Sequence, residues 1–487
     1  MKREHTDLLI IGSGFGGAVA ARRLSGLGRV LLLEKGGHWH PDDFRQNGDP
    51  RYMADLFDLH TGTGVGILSG SGLGGSSLVY SQVSVRTPSE AFELRDQEGI
   101  RLWPEEYNRA ALDPYYERVE KMLGVTQMRW DLPEDPKDRW KLVSPRDRVF
   151  ARGLSRLGYT CDALPLALTD CTDCGWCSLG CRHGAKNSLD HNYLPEAAEQ
   201  GVEIRVRSRA TAIRQERDHY VVRVANLKTG ESHLVQTRRL ILAAGAIGTA
   251  KLLLRARRAG TLTRLSPHIG HHLSLNGDLG LGAIVPDHPT QSYRGKIDGS
   301  ITYQFWNEGF TIQCVRFPAL VPALGLPSPY AARLGPLIGL EYKRRLPSLV
   351  HNHLPLGVLG LDDSEGSVRL GAGGISYVTY RPNQRTRAMW NRSIRAAREI
   401  AEDGLGGRLL STPLESRSPI GTVHPLGTCR MADDPSRGVV QPWGEVHGHP
   451  GLYCLDGSAL PASLGVNTSL TVAAVVERAC EQILAEA

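Results

Sequence analysis

The 487-residue sequence contains no apolar run of the roughly 18 residues a helix needs to cross a bilayer, which excludes a transmembrane helix from the reading. It also lacks a surplus of charge of one sign. Lys and Arg number 57 against 51 Asp and Glu, a formal net charge of +6, and the basic residues are scattered. That pattern gives no basic stripe for nucleic acid. Internal repeats and low-complexity tracts are missing too. The opening residues, MKREHTD, pass directly into an apolar strand. They lack the longer apolar stretch and small-residue cleavage site of a secretory signal, so the expected location is the cytoplasm, with membrane association limited to peripheral contact. A disulfide framework is not expected either: of nine cysteines, four fall within residues 171–181 and the rest are dispersed.

What is present is the composition of a soluble two-domain protein, 41% hydrophobic and 22% charged. Fifty-five glycines point to tight turns and close backbone approaches to a ligand. The segment DLLII (7–11), then GSGFGG (12–17), AVAARRLSGLG and RVLLLEKG reads as strand, glycine turn, helix and strand. The glycine-rich stretch 61–82 reads as a loop over a ligand. VEIRVRSRATAIRQE, YVVRVANL and SHLVQTRRLILAAG read as strands, the alternating ones suiting an antiparallel insertion and LILAAG returning to the main sheet. Residues 277–415 carry strand-like runs and one good helix, RAMWNRSIRAAREIAEDG. The expected fold class is α/β, a doubly wound, Rossmann-like domain with a second antiparallel α+β substrate domain. The boundaries expected are 1–125, 155–276 and 415–487 for the first, discontinuous domain and 277–414 for the second.

The turn Gly12-x-Gly14-x-x-Gly17, with Glu34 ending the second strand, carries the first chemistry. Glycines permit the tight turn and let backbone and helix N-terminus approach a pyrophosphate, while the carboxylate accepts hydrogen bonds from ribose hydroxyls. The motif alone leaves FAD and NAD equally open.

Two C-terminal segments, TVHPLGTCRM (422–431) and LYCLDGSALPASLGVNTSLTVAAVVERA (452–479), stand in order with this turn. Together with GLGGSSLVY (72–80), LILAAGAIGTAKLLL (240–254) and NSLDHNYL (187–194), they resemble the glucose–methanol–choline (GMC) oxidoreductases, in particular the bacterial cholesterol-oxidase-like branch. The resemblance spans residues 7 to about 480 and implies FAD and oxidation of an alcohol, lipophilic and sterol-like or long-chain, to a carbonyl compound. It implies His424 as the proton acceptor, an imidazole being suited to that task near neutral pH. Asn467 is implied to orient the substrate oxygen. For the cofactor it implies Gly74, Gly75 and Ser76 of the glycine-rich loop, Asn276 of SLNGD, and Asp456 and Gly457 of DGS, although an Asp in this setting also caps backbone amides. Two departures stand out. Gln313 falls where isomerising cholesterol oxidases carry a glutamate, so oxidation without isomerisation is expected. Tyr80 falls where related enzymes often have Asn.

The cluster Cys171-x₂-Cys174-x₂-Cys177-x₃-Cys181 has ferredoxin-like spacing, with Arg182 where proline is usual. Cys171, Cys177 and Cys181, followed by Gly184-Ala185, also resemble the iron–sulfur segment of some GMC sugar dehydrogenases. The expectation is an iron–sulfur cluster, 3Fe–4S or 4Fe–4S, passing electrons to a protein or quinone acceptor. Zinc and a plain packed thiol cluster stand as alternatives. Without a cluster, an oxidase using O₂ is expected; a flavin and iron–sulfur electron carrier and a nicotinamide dehydrogenase are the competing functions. The apolar, proline-rich stretch 317–350, ending near Lys343-Arg344-Arg345, reads as a lid that touches a membrane surface or as a packing segment.

Overall fold

A computed structural model describes residues 2–47, 49–316, 351–410 and 420–486. The stretch 317–350 read above as a lid lies outside the described residues.

The apolar segment DLLII forms the buried end of the strand Arg3–Ile11. Its neighbours Val30–Leu33 and Ser232–Leu242 lie parallel on either side, in the registers Leu8↔Val30 and Leu8↔Arg239. Both faces of such a strand are covered, which is why these runs are continuously apolar rather than alternating. Glu203–Arg205 extends the parallel sheet beyond Val30–Leu33, and Leu452–Cys454 joins the far end of Ser232–Leu242. The C-terminal segment is therefore part of the N-terminal sheet.

The expected antiparallel insertion is real but begins later than the sequence pattern indicates. Ser208–Glu216 and His219–Asn226 are antiparallel to one another, and the latter to Ser232–Leu242. The preceding Glu203–Arg205 stays in the parallel sheet. Arg207, at φ 53°, breaks the run and gives its backbone N–H to the Gly36 carbonyl.

The second domain's sheet has six strands in the order Arg408–Leu409, Leu279–Ile284, His353–Gly360, Phe310–Cys314, Ser300–Thr302 and Asp162–Ala163. All its pairings are antiparallel. The amphipathic helix Gln384–Glu402 lies against it, burying Met389, Trp390, Ile394, Ala397 and Ile400.

One expectation fails between the domains. The first half of the stretch 61–82 is not a loop: Phe57–Thr63 and Val65–Gly70 form a hairpin around Gly64, within a five-stranded sheet that also takes in Ser367–Leu370, Ser376–Thr379 and Ile420–Thr422. Glycine is required there by close packing. A Cβ on Gly62 would lie 1.7 Å from the Val378 carbonyl oxygen. The irregular loop begins only at Ser71.

Candidate active site

The glycine turn divides its work between packing and an open face. A Cβ on Gly17 would fall 1.9 Å from the Gly12 oxygen, and one on Gly16 1.7 Å from the Leu455 oxygen. These glycines let the helix Phe15–Arg23 sit against its own turn and against the C-terminal segment. Gly14 differs, for nothing lies within 4 Å of the position its Cβ would occupy. It is the N-cap of a helix with no side-chain cap and no acidic residue in its first turn. Room and an uncapped helix N-terminus at one point suit a pyrophosphate.

Ser13, inside the motif, organises the surroundings and was not singled out by sequence reasoning. Its Oγ accepts the Gly74 N–H at 3.0 Å and donates to Glu34 Oε2 at 2.7 Å. The Glu34 carboxylate also accepts from the Ser13 and Gly36 amides, and its burial pushes its proton affinity up despite those bonds. Gly74 and Gly75, at φ 104° and 57°, fold the glycine-rich loop onto the turn; a Cβ on Gly75 would be 2.9 Å from Gly14 Cα. Ser76 spends its Oγ on the Gly70 N–H. Asp190, from NSLDHNYL, has a buried Oδ1 with no hydrogen-bond partner among the described residues, 3.5 Å from where a Gly74 Cβ would stand. An orphaned acceptor at the rim of an open, anion-attracting cradle fits a dinucleotide that brings hydroxyl donors.

Asp456 acts as a helix cap. Its Oδ2 accepts the Gly245 N–H at 2.9 Å and the Thr249 hydroxyl at 2.6 Å, at the start of Gly245–Arg258. Gly457 abuts the histidine loop: a Cβ there would lie 3.3 Å from the Pro425 oxygen. Backbone bonds from Gly427, Cys429 and Met431 to Gly457, Ser458 and Ala459 zip the two C-terminal motifs together.

His424 follows the short strand Ile420–Thr422. Its Nδ1 lies 2.9 and 3.0 Å from the two oxygens of Asp278, which also accepts the Thr422 hydroxyl at 2.7 Å. A carboxylate can only accept, so Nδ1 carries the proton and Nε2 keeps its lone pair. Burial pulls the imidazole's pKa down, but the Asp278 charge and hydrogen bond, helped by Asp298, leave it above the ordinary histidine value. Asp278 is the residue that sequence reasoning missed, although it directly follows the quoted Asn276-Gly277. The only available signal was an acid beside a turn.

Asn276 brings the second candidate to the same place. Its Oδ1 accepts the Leu464 and Gly465 N–H groups at 2.8 and 3.1 Å, and its Nδ2 donates to the Val466 oxygen at 2.9 Å. The loop ending in Asn467 is thus clamped two residues from the partner of His424. Asn276 and Gly277 are both left-handed, at φ 54° and 59°, and the buried Asp362 holds the turn by accepting the Leu275 and Gly277 amides. Gln313 Nε2 donates to Asn467 Oδ1 at 2.6 Å, which leaves the Asn467 amide nitrogen to act as a donor.

Tyr80 packs edge-on against Phe15 and gives its hydroxyl to the Asn187 carbonyl. An open cleft of about 650 Å³ lined by Arg86, Arg109, Glu120, Gln127 and Tyr303 contains neither His424 nor Asn467. Its arginines are matched by Asp113 and Glu120.

The iron–sulfur expectation at Cys171, Cys174, Cys177 and Cys181 is not supported. All nine thiols are free, and among the described residues no three His, Cys, Asp or Glu side chains converge as metal ligands. Burial pushes Cys171 up to about 12 and Cys177 upward as well. Lys186 ties this segment to the glycine-rich loop, donating to the Leu78, Tyr80 and Cys177 carbonyls. Among the described residues no helix is long and apolar enough to cross a membrane.

Family models described as GMC oxidoreductase match residues 6–276 and 362–475. The chain is 31% identical to a cholesterol oxidase of Mycobacterium tuberculosis, covering 98% of this chain and 91% of that protein. It is equally 31% identical to the 6'''-hydroxyparomomycin C oxidase of Streptomyces lividus, over 96% and 89%. Among solved structures, the pyridoxine 4-oxidase from "Mesorbium loti" superposes with a TM-score of 0.70 over 99% of both chains at 20% identity, a likeness of fold.

Proposed function

Because the chain belongs to the GMC oxidoreductase family, we propose that it is an FAD-dependent enzyme that oxidises an alcohol to a carbonyl compound, with His424 as the base. The observation that carries this reading is the His424–Asp278 pair. An electron carrier has no use for a partly buried imidazole whose Nδ1–H is fixed on a carboxylate and whose Nε2 is left as an acceptor. His424 Nε2 takes the hydroxyl proton. Asp278 fixes the tautomer and stabilises the imidazolium that forms. Asn467, its oxygen held by Gln313, donates from its amide nitrogen to the substrate oxygen. The Gly12–Gly17 turn and the Gly74–Ser76 loop would hold FAD, which would supply the hydride acceptor.

O₂ is the final electron acceptor in this reading, in keeping with relatives named as oxidases. The cholesterol oxidase at 31% identity supports a lipophilic, sterol-like or long-chain alcohol. A second reading, an amino-sugar alcohol, has the 6'''-hydroxyparomomycin C oxidase, also 31% identical, behind it, together with the polar residues Thr311 and Gln313 in the strand facing Asn467. Anaerobic mixing of the holoenzyme with a panel of cholesterol, a long-chain primary alcohol and paromamine tests both. Bleaching of the flavin by one member is expected. A flavin that no alcohol bleaches would argue instead for an electron carrier.

A further inference from the structure

Within the cysteine segment, Cys174-Gly175-Trp176-Cys177 has the C-x-x-C spacing of a redox-active dithiol. The chain bends at Gly175, which stands at φ 79°, and Cys177 then opens the short 3-10 turn Cys177–Leu179. Trp176 between the two cysteines is exposed, so the bend reaches solvent. Both thiols are free, Cys174 half-buried and Cys177 buried, and Cys174 is near enough to Cys177 to oppose its ionisation. An outer thiol beside an inner one lets the first meet an oxidant and the second resolve it. The other two cysteines are placed differently. Cys171 accepts the Asp173 amide on its sulfur at 3.4 Å, and Cys181 follows Gly180, where a Cβ would lie 1.9 Å from the Phe44 ring.

Two buried cations flank this bend. Arg316 is 6% exposed, and its Nε and Nη1 have no hydrogen-bond partner among the described residues. Its Nη1 lies 3.1 Å from where a Gly175 Cβ would stand, and both thiols act on the guanidinium. A cation with unspent donors beside a dithiol favours the thiolate through which thiol–disulfide chemistry passes. Lys186 gives its three protons to the carbonyls of Cys177, Leu78 and Tyr80, at 2.6, 2.9 and 3.1 Å. The inner cysteine is thereby tied to the end of the glycine-rich loop.

We infer that Cys174 and Cys177 are a redox-active dithiol that hydrogen peroxide closes to a disulfide, and that closure loosens the hold of the glycine-rich loop on FAD. The Cys174 thiolate attacks one peroxide oxygen: an S–O bond forms, the O–O bond breaks, and the departing hydroxide leaves as water with the thiol's proton. The Cys177 sulfur then displaces the remaining oxygen: the S–S bond forms, the S–O bond breaks, and the Cys177 proton leaves with that oxygen as a second water. The two sulfurs are oxidised and the peroxide is reduced; a thiol reductant reverses the step. A disulfide fixes its sulfurs about 2 Å apart, so closure draws Cys177 and its carbonyl toward Cys174 and away from Lys186. The source of the peroxide rests on the O₂-acceptor reading, whereas the dithiol itself does not.

The test treats the holoenzyme, freed of reductant, with equimolar hydrogen peroxide, then alkylates it and maps its peptides by mass spectrometry. The peptide carrying residues 171–181 is expected to lose two hydrogens, with Cys174 linked to Cys177 and with Cys171 and Cys181 alkylated. Dithiothreitol should restore all four thiols. Cys177→Ser is expected to stop at a Cys174 sulfenic acid that dimedone traps, and Cys174→Ser to form no disulfide. FAD release, followed by flavin fluorescence, should quicken about tenfold on oxidation of the wild type, the worth of one charge-assisted hydrogen bond, and stay unchanged in peroxide-treated Cys174→Ser. Thiols that peroxide leaves free, a disulfide through Cys171 or Cys181, or FAD release that oxidation does not alter overturns the inference. A second arm replaces added peroxide with turnover, in air, of an alcohol that bleaches the flavin, with and without catalase. Closure that catalase prevents supports the whole inference. A pair that added peroxide closes but turnover leaves open defeats the O₂-acceptor reading and leaves the dithiol standing.

Discussion

At the scale of single residues, His424 draws its chemistry from Asp278 rather than from its own motif. Burial alone would lower the imidazole's pKa; the carboxylate reverses the sign. His424→Ala should bind FAD normally and lose on the order of 10²–10⁴ in the rate of flavin reduction by substrate, the usual worth of positioned proton transfer, as stopped-flow bleaching would record. The pH dependence follows from the same pair. Reduction needs the neutral imidazole, so its rate falls as pH drops through the raised His424 pKa. In Asp278→Asn the burial remains and the countercharge is gone. The inflection should then move to lower pH, while the high-pH plateau falls because the base is weaker and its tautomer no longer fixed. An unmoved inflection would mean that some other group sets the profile. His424 was legible in the sequence through its motif. Asp278 was not, because an acid 146 positions away in the chain becomes a partner only through folding.

Among elements, the dinucleotide turn separates two kinds of glycine that look identical in a motif. Gly17→Ala would drive a methyl group into the Gly12 carbonyl and should yield little soluble, flavin-loaded protein. Gly14→Ala meets no protein atom and has an ordinary backbone, φ −67° and ψ −170°. The flavin-free protein should therefore melt at the wild-type temperature, yet bind FAD about tenfold or more weakly, since the methyl group would occupy the cradle. Fluorescence titration against melting curves separates the two effects. Asn276 belongs to this scale as well. Its three bonds to residues 464–466 hold a loop, and Asn276→Ala removes them at a left-handed position. A loss of roughly 3 kcal/mol of stability is expected, with a fall in kcat as Asn467 loses its register. The sequence marked this Asn for the flavin; its side chain holds the loop that carries Asn467.

Over the whole molecule, the last 36 residues complete the first domain. Leu452–Cys454 is a strand of its sheet, and the helix Ser469–Ala485 packs on Phe15–Arg23 and Arg109–Met122. There the buried Glu477 binds Arg23 and Arg118, each at 3.1 Å. Truncation before Leu452 should leave no soluble yellow protein, a result that fragment expression would check directly. What the sequence by itself determined is what local pattern encodes: the strand–turn–helix of the dinucleotide fold, the alternating strands of the antiparallel insertion, the strand-like runs of the second sheet, and the ordered motifs carrying His424 and Asn467. The spacing of four cysteines suggested a cluster because spacing records only the distance along the chain; their convergence as ligands depends on the path of the backbone, and among the described residues no three metal-ligating side chains come together. The hairpin in the glycine-rich stretch was hidden for a related reason, since those glycines answer to a neighbouring sheet and not to a turn. Tertiary structure alone decided which acid holds His424 and which amide holds Asn467, because each is a contact between segments that only long-range packing brings together.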